Sequence, residues 1–254
     1  MDGISLTHTF MYLTVSVINI FSNILPRMIS FIIPIHNEEK ILQENLEKIS
    51  DYLNSLGKEF EIVLIENGST DNTLAITNEI SRKDKRVKAL SIHQKDLGKA
   101  LRKGILSASG ELLIWYPIDL SVAFDYIPES LREIEDYDII VGSKEHRKSS
   151  VTRSGTRKFL SIIYNSFVDL LFNLGISDTQ CVKTFKAEST KSIIEKTTSG
   201  GIVWEVEFLY LAKKADLRMK EVPVHVIDIR RKSKINILDM IKAFINLIIL
   251  RIKI

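Results

Sequence analysis

The chain has 254 residues, 45% hydrophobic and 26% charged, enough apolar material for one large α/β domain or two small ones. A net charge of +3 is too small to argue for a nucleic-acid partner, so only the local placement of charge can matter. The single cysteine, Cys181, excludes an internal disulfide and a cysteine-rich zinc site, and it fits a reducing compartment.

The first apolar stretch, Phe10 to Leu25, is short and is interrupted by Thr14, Ser16, Asn19, Ser22 and Asn23. A spanning helix needs roughly 20 mostly apolar residues. A signal peptide needs a basic start, and no Lys or Arg precedes Arg27. Wound as a helix, Ser16, Asn19 and Asn23 share one face, with Phe10, Val17, Phe21 and Leu25 on the other. Residues 1–27 are therefore read as an interfacial helix or a poorly ordered apolar leader.

From Arg27 the pattern alternates strand and helix. Met28–Ile35 is a continuous apolar strand, and Glu38–Leu56 a helix with Ile41, Leu42, Leu46, Ile49 and Leu53 on one face. Phe60–Ile65, Val87–Ile92, Glu111–Tyr116 and Asp138–Val141 read as strands, and Asp71–Ser81 and Leu97–Ser107 as helices. Such alternation implies a mostly parallel sheet flanked by helices. In the second half, Arg153–Leu174 is one long amphipathic helix, Asp178–Lys186 a loop and strand, Trp204–Lys214 a helix and Arg218–Ile227 a strand. No linker is visible, so residues 28–234 are read as one catalytic domain.

The last segment, 235–254, is a helix with a narrow polar stripe of Asn236, Asp239, Lys242, Asn246 and Lys253 on an otherwise apolar surface. Asp239 and Lys242 argue against spanning, while Arg251 and Lys253 suit a headgroup layer, so an interfacial membrane helix is expected. The same periodicity would serve a dimer interface, which leaves a homo-oligomer open.

Three strands end in polar, turn-forming sequence: Pro34-Ile35-His36-Asn37-Glu38-Glu39, then Glu66-Asn67-Gly68-Ser69-Thr70-Asp71, then Tyr116-Pro117-Ile118-Asp119-Leu120-Ser121. In a parallel sheet these ends share one edge, where ligands bind. Glu38, Glu66, Asn67, Asp71 and Asp119 would there form an acidic pocket suited to ribose hydroxyls and a base edge. A diphosphate would need a metal or basic side chains as well. Each segment also has a plainer reading, Asn37-Glu38-Glu39 as a capped helix start and Gly68-Ser69-Thr70-Asp71 as a turn and cap. His36, His93, His146 and His225 have no metal-like spacing, and Cys181 reads as a packing residue.

The order of these motifs resembles the family-2 glycosyltransferases of the GT-A fold. Ile32-Ile33-Pro34-Ile35-His36-Asn37-Glu38-Glu39 is similar to I-P-x-Y-N-E-E, and Ile65-Glu66-Asn67-Gly68-Ser69-Thr70-Asp71-Asn72-Thr73 to V-D-D-G-S-T-D-N-T. Leu97-Gly98-Lys99-Ala100-Leu101-Arg102-Lys103-Gly104 with Ala108-Ser109-Gly110-Glu111 is similar to L-G-x-A-L-R-x-G…A-x-G-E. Pro117-Ile118-Asp119-Leu120-Ser121 resembles the metal motif D-A-D-L-S/Q with Pro117 in place of the first acid. Asp178-Thr179-Gln180-Cys181 with Lys183 and Phe185, Trp204-Glu205-Val206-Glu207-Phe208-Leu209-Tyr210, Glu221-Val222-Pro223-Val224 and Ser233-Lys234 resemble segments of dolichyl-phosphate glucosyltransferases and mannosyltransferases.

The resemblance implies a GT-A (Rossmann-like) sheet and a membrane-associated enzyme at the cytoplasmic face. It implies an inverting transfer of glucose or mannose from a nucleotide sugar, UDP-glucose or GDP-mannose, to a polyprenyl phosphate. Nucleotide contacts carry onto Pro34, Glu38, Glu66 and Asn67, and the surviving metal-motif acid onto Asp119, with Ser121 beside it. The basic residues for diphosphate and lipid phosphate carry onto Lys144, Arg157 and Lys234, with Ser161; Arg153, Arg230 and Arg231 are nearby. Mg2+ or Mn2+ is the implied cofactor. Pro117, Asn67 in place of an acid, Lys144 in place of an arginine and a loop one residue shorter after Cys181 depart from the pattern. They leave three expectations: weak metal binding through Asp119, reliance on cations alone, or a catalytically inactive partner subunit. A polysaccharide or other acceptor is the competing assignment within the fold.

Overall fold

The unbroken apolar run Met28–Ile35 forms β1, and burial on both faces is why apolar residues occupy almost every position of it. The computed structural model describes residues 28–152, 155–227 and 237–254, without the side chains of Arg157 and of residues 237–239. The expected N-terminal leader, Arg153, Arg230, Arg231 and Lys234 lie outside the described residues.

β1 is flanked by β2 (Glu59–Asn67) and β4 (Leu112–Trp115), with β3 (Val87–Ile92) beyond β2, all parallel. The sheet continues through β7 (Lys183–Lys186) and β5 (Ile139–Ser143) to β8 (Met219–Pro223), in the order β3-β2-β1-β4-β7-β5-β8. β7 alone is reversed, antiparallel to both β4 and β5, so the sheet is mostly rather than wholly parallel. A second, two-stranded sheet joins β6 (Ser150–Thr152) to β9 (His225–Ile227). The single strand expected over Arg218–Ile227 is thus two strands that serve different sheets. Between them Val224 is buried, donating its N–H to the Ser149 hydroxyl at 3.0 Å.

Crossovers are made by α1 (Leu42–Ser55), α2 (Thr73–Lys83), α3 (Leu97–Ser107) and α4 (Tyr126–Glu133). α5 (Gly155–Phe172), α6 (Ala187–Lys196), α7 (Val203–Lys214) and α8 (Ile237–Lys253) complete the described helices. α1 starts four residues after the expected Glu38, because the Glu38 carbonyl accepts from the N–H groups of Ile41 and Leu42 in a turn. α4 and α6 had no clear sequence signal. The first is eight residues long with Pro128 in its first turn, and the second buries only Thr190, Ile193 and Ile194.

The sheet separates two cores. On one face, Ile29, Phe31, Ile33 and Ile35 of β1 meet Leu42, Leu46, Ile49 and Leu53 of α1, each side chain contributing about 1.5–3 kcal/mol by burial. On the other, Ile32, Val63 and Leu113 meet Ala100 and Leu101 of α3, Val206 and Leu209 of α7, and Ala243, Leu247 and Leu250 of α8. Phe244 of α8 packs edge-on against Phe167 of α5 with ring centroids 5.0 Å apart. The opposite side of α8 presents Ile241, Ile245, Ile248, Ile249 and Ile252 to the exterior, and α5 likewise presents Phe159, Ile162, Ile163 and Leu170.

Candidate active site

The carboxyl ends of β1, β2 and β4 adjoin, which brings the first three polar segments to one edge. Pro34 sits in β1 without breaking it, because pairing with β4 has ended at Ile32↔Trp115 and only β2 remains alongside. The loop after β1 is bound to the loop after β2 residue by residue. Asn37, held at φ +56°, accepts the Thr70 N–H on Oδ1 at 2.8 Å and donates its own N–H to the Ser69 hydroxyl at 3.1 Å. The Glu38 N–H reaches Thr73 Oγ1 at 2.8 Å, and Glu39 Oε2 accepts the Asn72 N–H at 3.0 Å. His36 Nδ1 meets the Asn67 carbonyl at 2.9 Å. Asn37-Glu38-Glu39 is therefore a cross-loop clasp and not a helix cap.

Glu66 and Asn67 are buried at the base of this clasp. Glu66 accepts the Ser69 N–H on Oε1 and the Ser91 hydroxyl on Oε2, the latter at 2.7 Å. Asn67 Oδ1 accepts the Asp96 N–H at 2.7 Å. Gly68 is required directly after Asn67: its φ is +64°, and a Cβ there would lie 2.7 Å from the Lys95 nitrogen. The side chains of Glu66 and Asn67 brace the loops after β2 and β3, and Glu38 of the loop after β1 is half-buried.

Beyond β4 the chain turns at Pro117 and presents Asp119. Asp119 Oδ1 accepts the Ser121 N–H at 3.1 Å, closing a turn in which Leu120 is held at φ +53°. That backbone is uncommon for a leucine and is maintained from outside. Asn45 of α1 donates to the Ile118 carbonyl at 3.0 Å, and Ile227 of β9 donates to the Ser121 carbonyl at 2.9 Å. One carboxylate and one hydroxyl are thus presented by this turn, since Pro117 offers no ligating side chain. Among the described residues no group of three or more His, Cys, Asp or Glu is placed to hold a metal ion. Such a donor set fits an ion held largely by phosphate oxygens and water, as Mg2+ commonly is.

Lys144 follows β5 at the same edge. Its ammonium lies 2.9 Å from Asp178 Oδ2 and donates to the Gln180 carbonyl at 3.0 Å. Burial pushes the Asp178 carboxyl up, but the Lys144 ammonium and the N–H groups of Lys144 and Gln180 outweigh it and hold the acid below its ordinary range. Cys181 is buried, and burial raises its thiol, so it is a packing residue. Ser161 lies half-buried on α5, and Arg157 belongs to the same helix.

Four groups at this edge have no role assigned from the sequence, although Lys183, Glu205 and Glu207 lie in segments that resemble the family. Asp96 caps α3 through the Lys99 N–H at 3.1 Å and accepts the Gly201 N–H at 2.7 Å. Glu207 accepts the N–H groups of Thr198 and Ser199, fixing the loop before α7. Lys183 and Glu205 form an ion pair at almost zero exposure, 1% and 0%. Their residue types are visible in the sequence, but their pairing is set by β7 lying against β4, which no local pattern encodes.

The sequence profile of Glycosyl transferase family 2 matches residues 30–193. A dolichyl-phosphate beta-glucosyltransferase of Trichomonas vaginalis is 29% identical over 235 residues, covering 86% of this chain and 69% of that protein. Proteins of the same name from Dictyostelium discoideum and Drosophila melanogaster are 29% and 30% identical, and the matches cover 65% and 66% of their lengths. The chain thus spans about two thirds of the length of these relatives. Glucosyl-3-phosphoglycerate synthase of Mycobacterium tuberculosis, solved with Mn2+, uridine-diphosphate-glucose and phosphoglyceric acid, superposes with a TM-score of 0.67. The superposition covers 100% of this chain and 84% of that one at 15% identity, a likeness of fold.

Proposed function

The chain belongs to glycosyl transferase family 2, and from that premise we propose that it moves a hexose from a nucleotide sugar to a polyprenyl phosphate, with inversion at the anomeric carbon. The observation that carries the reading is the arrangement of one edge. The clasped loops after β1 and β2, the Asp119 turn and Lys144 share it, and Asn165 of α5 meets Thr179 of the adjoining loop at 3.5 Å. α5 also carries the outward Phe159, Ile162 and Ile163, so the edge borders an apolar surface that suits a lipid-borne acceptor.

A lipid phosphate is anionic at neutral pH and needs no general base. One of its oxygens bonds to the anomeric carbon while the bond to the diphosphate oxygen breaks, and the diphosphate leaves with the electron pair. What the protein supplies is orientation and charge stabilisation. Glu38 and the clasped loops orient the nucleoside, with Pro34, Glu66 and Asn67 as their foundation. Lys144, with Arg157, Lys234 and Ser161, is assigned to the phosphates. Asp119 and Ser121 are the residues that would hold Mg2+ or Mn2+ against the diphosphate; when bound, that ion neutralises the departing charge.

Among the described residues no helix is long and apolar enough to cross a membrane. We assign contact with the membrane surface to the outward isoleucines of α8 and the apolar face of α5, beside exposed Lys158, Lys242 and Lys253. The names of the relatives favour glucose as the hexose and dolichyl phosphate as the acceptor. Incubation with labelled UDP-glucose or GDP-mannose and dolichyl phosphate, with and without EDTA, tests this. A labelled lipid is expected with UDP-glucose, and no labelled lipid from either donor would overturn the reading.

A further inference from the structure

We infer that the buried pair of Lys183 and Glu205 is a positioning element for the transfer, locking the strand that leads to Asp119 against the loop that holds Lys144. Lys183 opens β7 directly opposite Trp115, the last residue of β4. Its ammonium lies over the Trp115 ring, 4.5 Å from the centroid, two residues before Pro117. The same ammonium donates to the carbonyls of Thr179 and Cys181 at 2.8 and 2.9 Å and is paired with Glu205 Oε2. Those carbonyls belong to the loop whose Asp178 carboxylate and Gln180 carbonyl hold Lys144. One cation therefore ties three elements together: the end of β4, the 178–181 loop and the first turn of α7.

The pair is poorly explained as a device for stability. Taking two charges out of water costs several kcal/mol per ion, and apolar replacements of similar volume are often neutral or stabilising. Glu205 gains little beyond Lys183, since among the described residues its buried Oε1 has no hydrogen-bond partner, and neither has the buried hydroxyl of Tyr164. An apolar pair could fill this space, but it could not donate to the Thr179 and Cys181 carbonyls. What the ion pair adds is the fixed separation of the Asp119 turn and Lys144, the two groups assigned to the departing diphosphate.

The inference rests on the proposed transfer for its kinetic readout, and on hydrogen exchange for one that needs no substrate. The double variant Lys183→Met/Glu205→Leu is expected to fold, with the desolvation cost relieved by removing both charges offsetting the two carbonyl hydrogen bonds lost. Backbone amides of the 178–182 segment should exchange at least ten-fold faster. The kcat for transfer to dolichyl phosphate should fall at least ten-fold, while KM for the nucleotide sugar stays within two-fold, because the hydrogen bonds of the pair go to the 178–181 loop and not to the clasped loops. Wild-type exchange and wild-type kcat in the folded double variant would overturn the inference. Glu205→Asp, whose carboxylate stops one methylene short of Lys183, carries the same prediction at smaller amplitude and decides the matter if the apolar variant does not fold. If the wild type transfers nothing to lipid phosphate, the proposed function fails, and the exchange measurement alone still reports whether the pair locks the loop.

Discussion

Lys144 meets one oxygen of Asp178 twice, through its backbone N–H and through its ammonium, each at 2.9 Å. The contact fixes both the direction of the chain leaving β5 and the place of the only cation of the Gly142-Ser143-Lys144 segment. Asp178 is fully buried, so the pair is shielded from solvent on the acid side. Asp178→Asn should cost about 3–5 kcal/mol at neutral pH, since it removes the buried carboxylate that faces the Lys144 ammonium. The folded carboxyl sits below its ordinary value, so its contribution is present above that value and is lost as pH falls through the lower, folded one. Urea midpoints of the wild type and the variant should therefore converge below about pH 4. A constant difference across that range would contradict the assignment.

The clasp between the first two loops predicts a donor-side defect. Asn37→Ala removes the acceptor for the Thr70 N–H and leaves a residue with no side-chain hydrogen bond at φ +56°. Left-handed backbone costs roughly 1–2 kcal/mol for such a residue. We expect a several-fold rise in KM for the nucleotide sugar with little change in KM for the lipid, measured in the transfer assay.

Gly98 illustrates two effects of opposite sign. Ala within a helix is favoured over Gly by about 1 kcal/mol, and by less at Gly98, the second residue of α3. A Cβ at Gly98, however, would overlap the Trp204 Cβ and lie 2.9 Å from its Cγ. Overpacking of this kind costs roughly 1–3 kcal/mol, so the steric term should win. Gly98→Ala is expected to lower the melting temperature by roughly 2–6 °C. An increase would show that Trp204 moves aside at little cost.

The outward face of α8 predicts separable effects on binding and folding. Ile245 and Ile252 are 50% and 81% exposed, so Ile245→Asp and Ile252→Asp should leave the melting temperature unchanged. Co-sedimentation with anionic lipid vesicles should nevertheless fall several-fold. Unaltered sedimentation of the double variant would remove α8 from the membrane contact.

Much of this organisation was legible in the sequence because it is periodic. The continuous runs of β1 and β2, the Leu42–Leu53 stripe of α1 and the polar strand ends each follow from local pattern, and together they place Asp119 at the carboxyl edge of the sheet. What was not legible depends on distant partners. The reversed β7 has no local mark, since four residues fit either direction. The Lys183–Glu205 pair arises only once β7 lies against β4, and the break at Val224 only once Ser149 takes its N–H. Glu66 and Asn67 carry a motif that implies ligand contact, and the structure adds that both are buried supports of the loop they occupy.

Asp119 is the residue on which the proposed transfer depends most directly. Asparagine preserves Oδ1 as the acceptor of the Ser121 N–H, so Asp119→Asn should keep the turn, the Leu120 conformation and the melting temperature. The decisive measurement is the initial rate of labelled hexose transfer to dolichyl phosphate by wild type and Asp119→Asn at saturating divalent ion. We predict a loss of at least about 100-fold in kcat, the scale expected when a charge-stabilising group at the departing diphosphate is removed. Near-wild-type turnover by the folded variant would contradict the account.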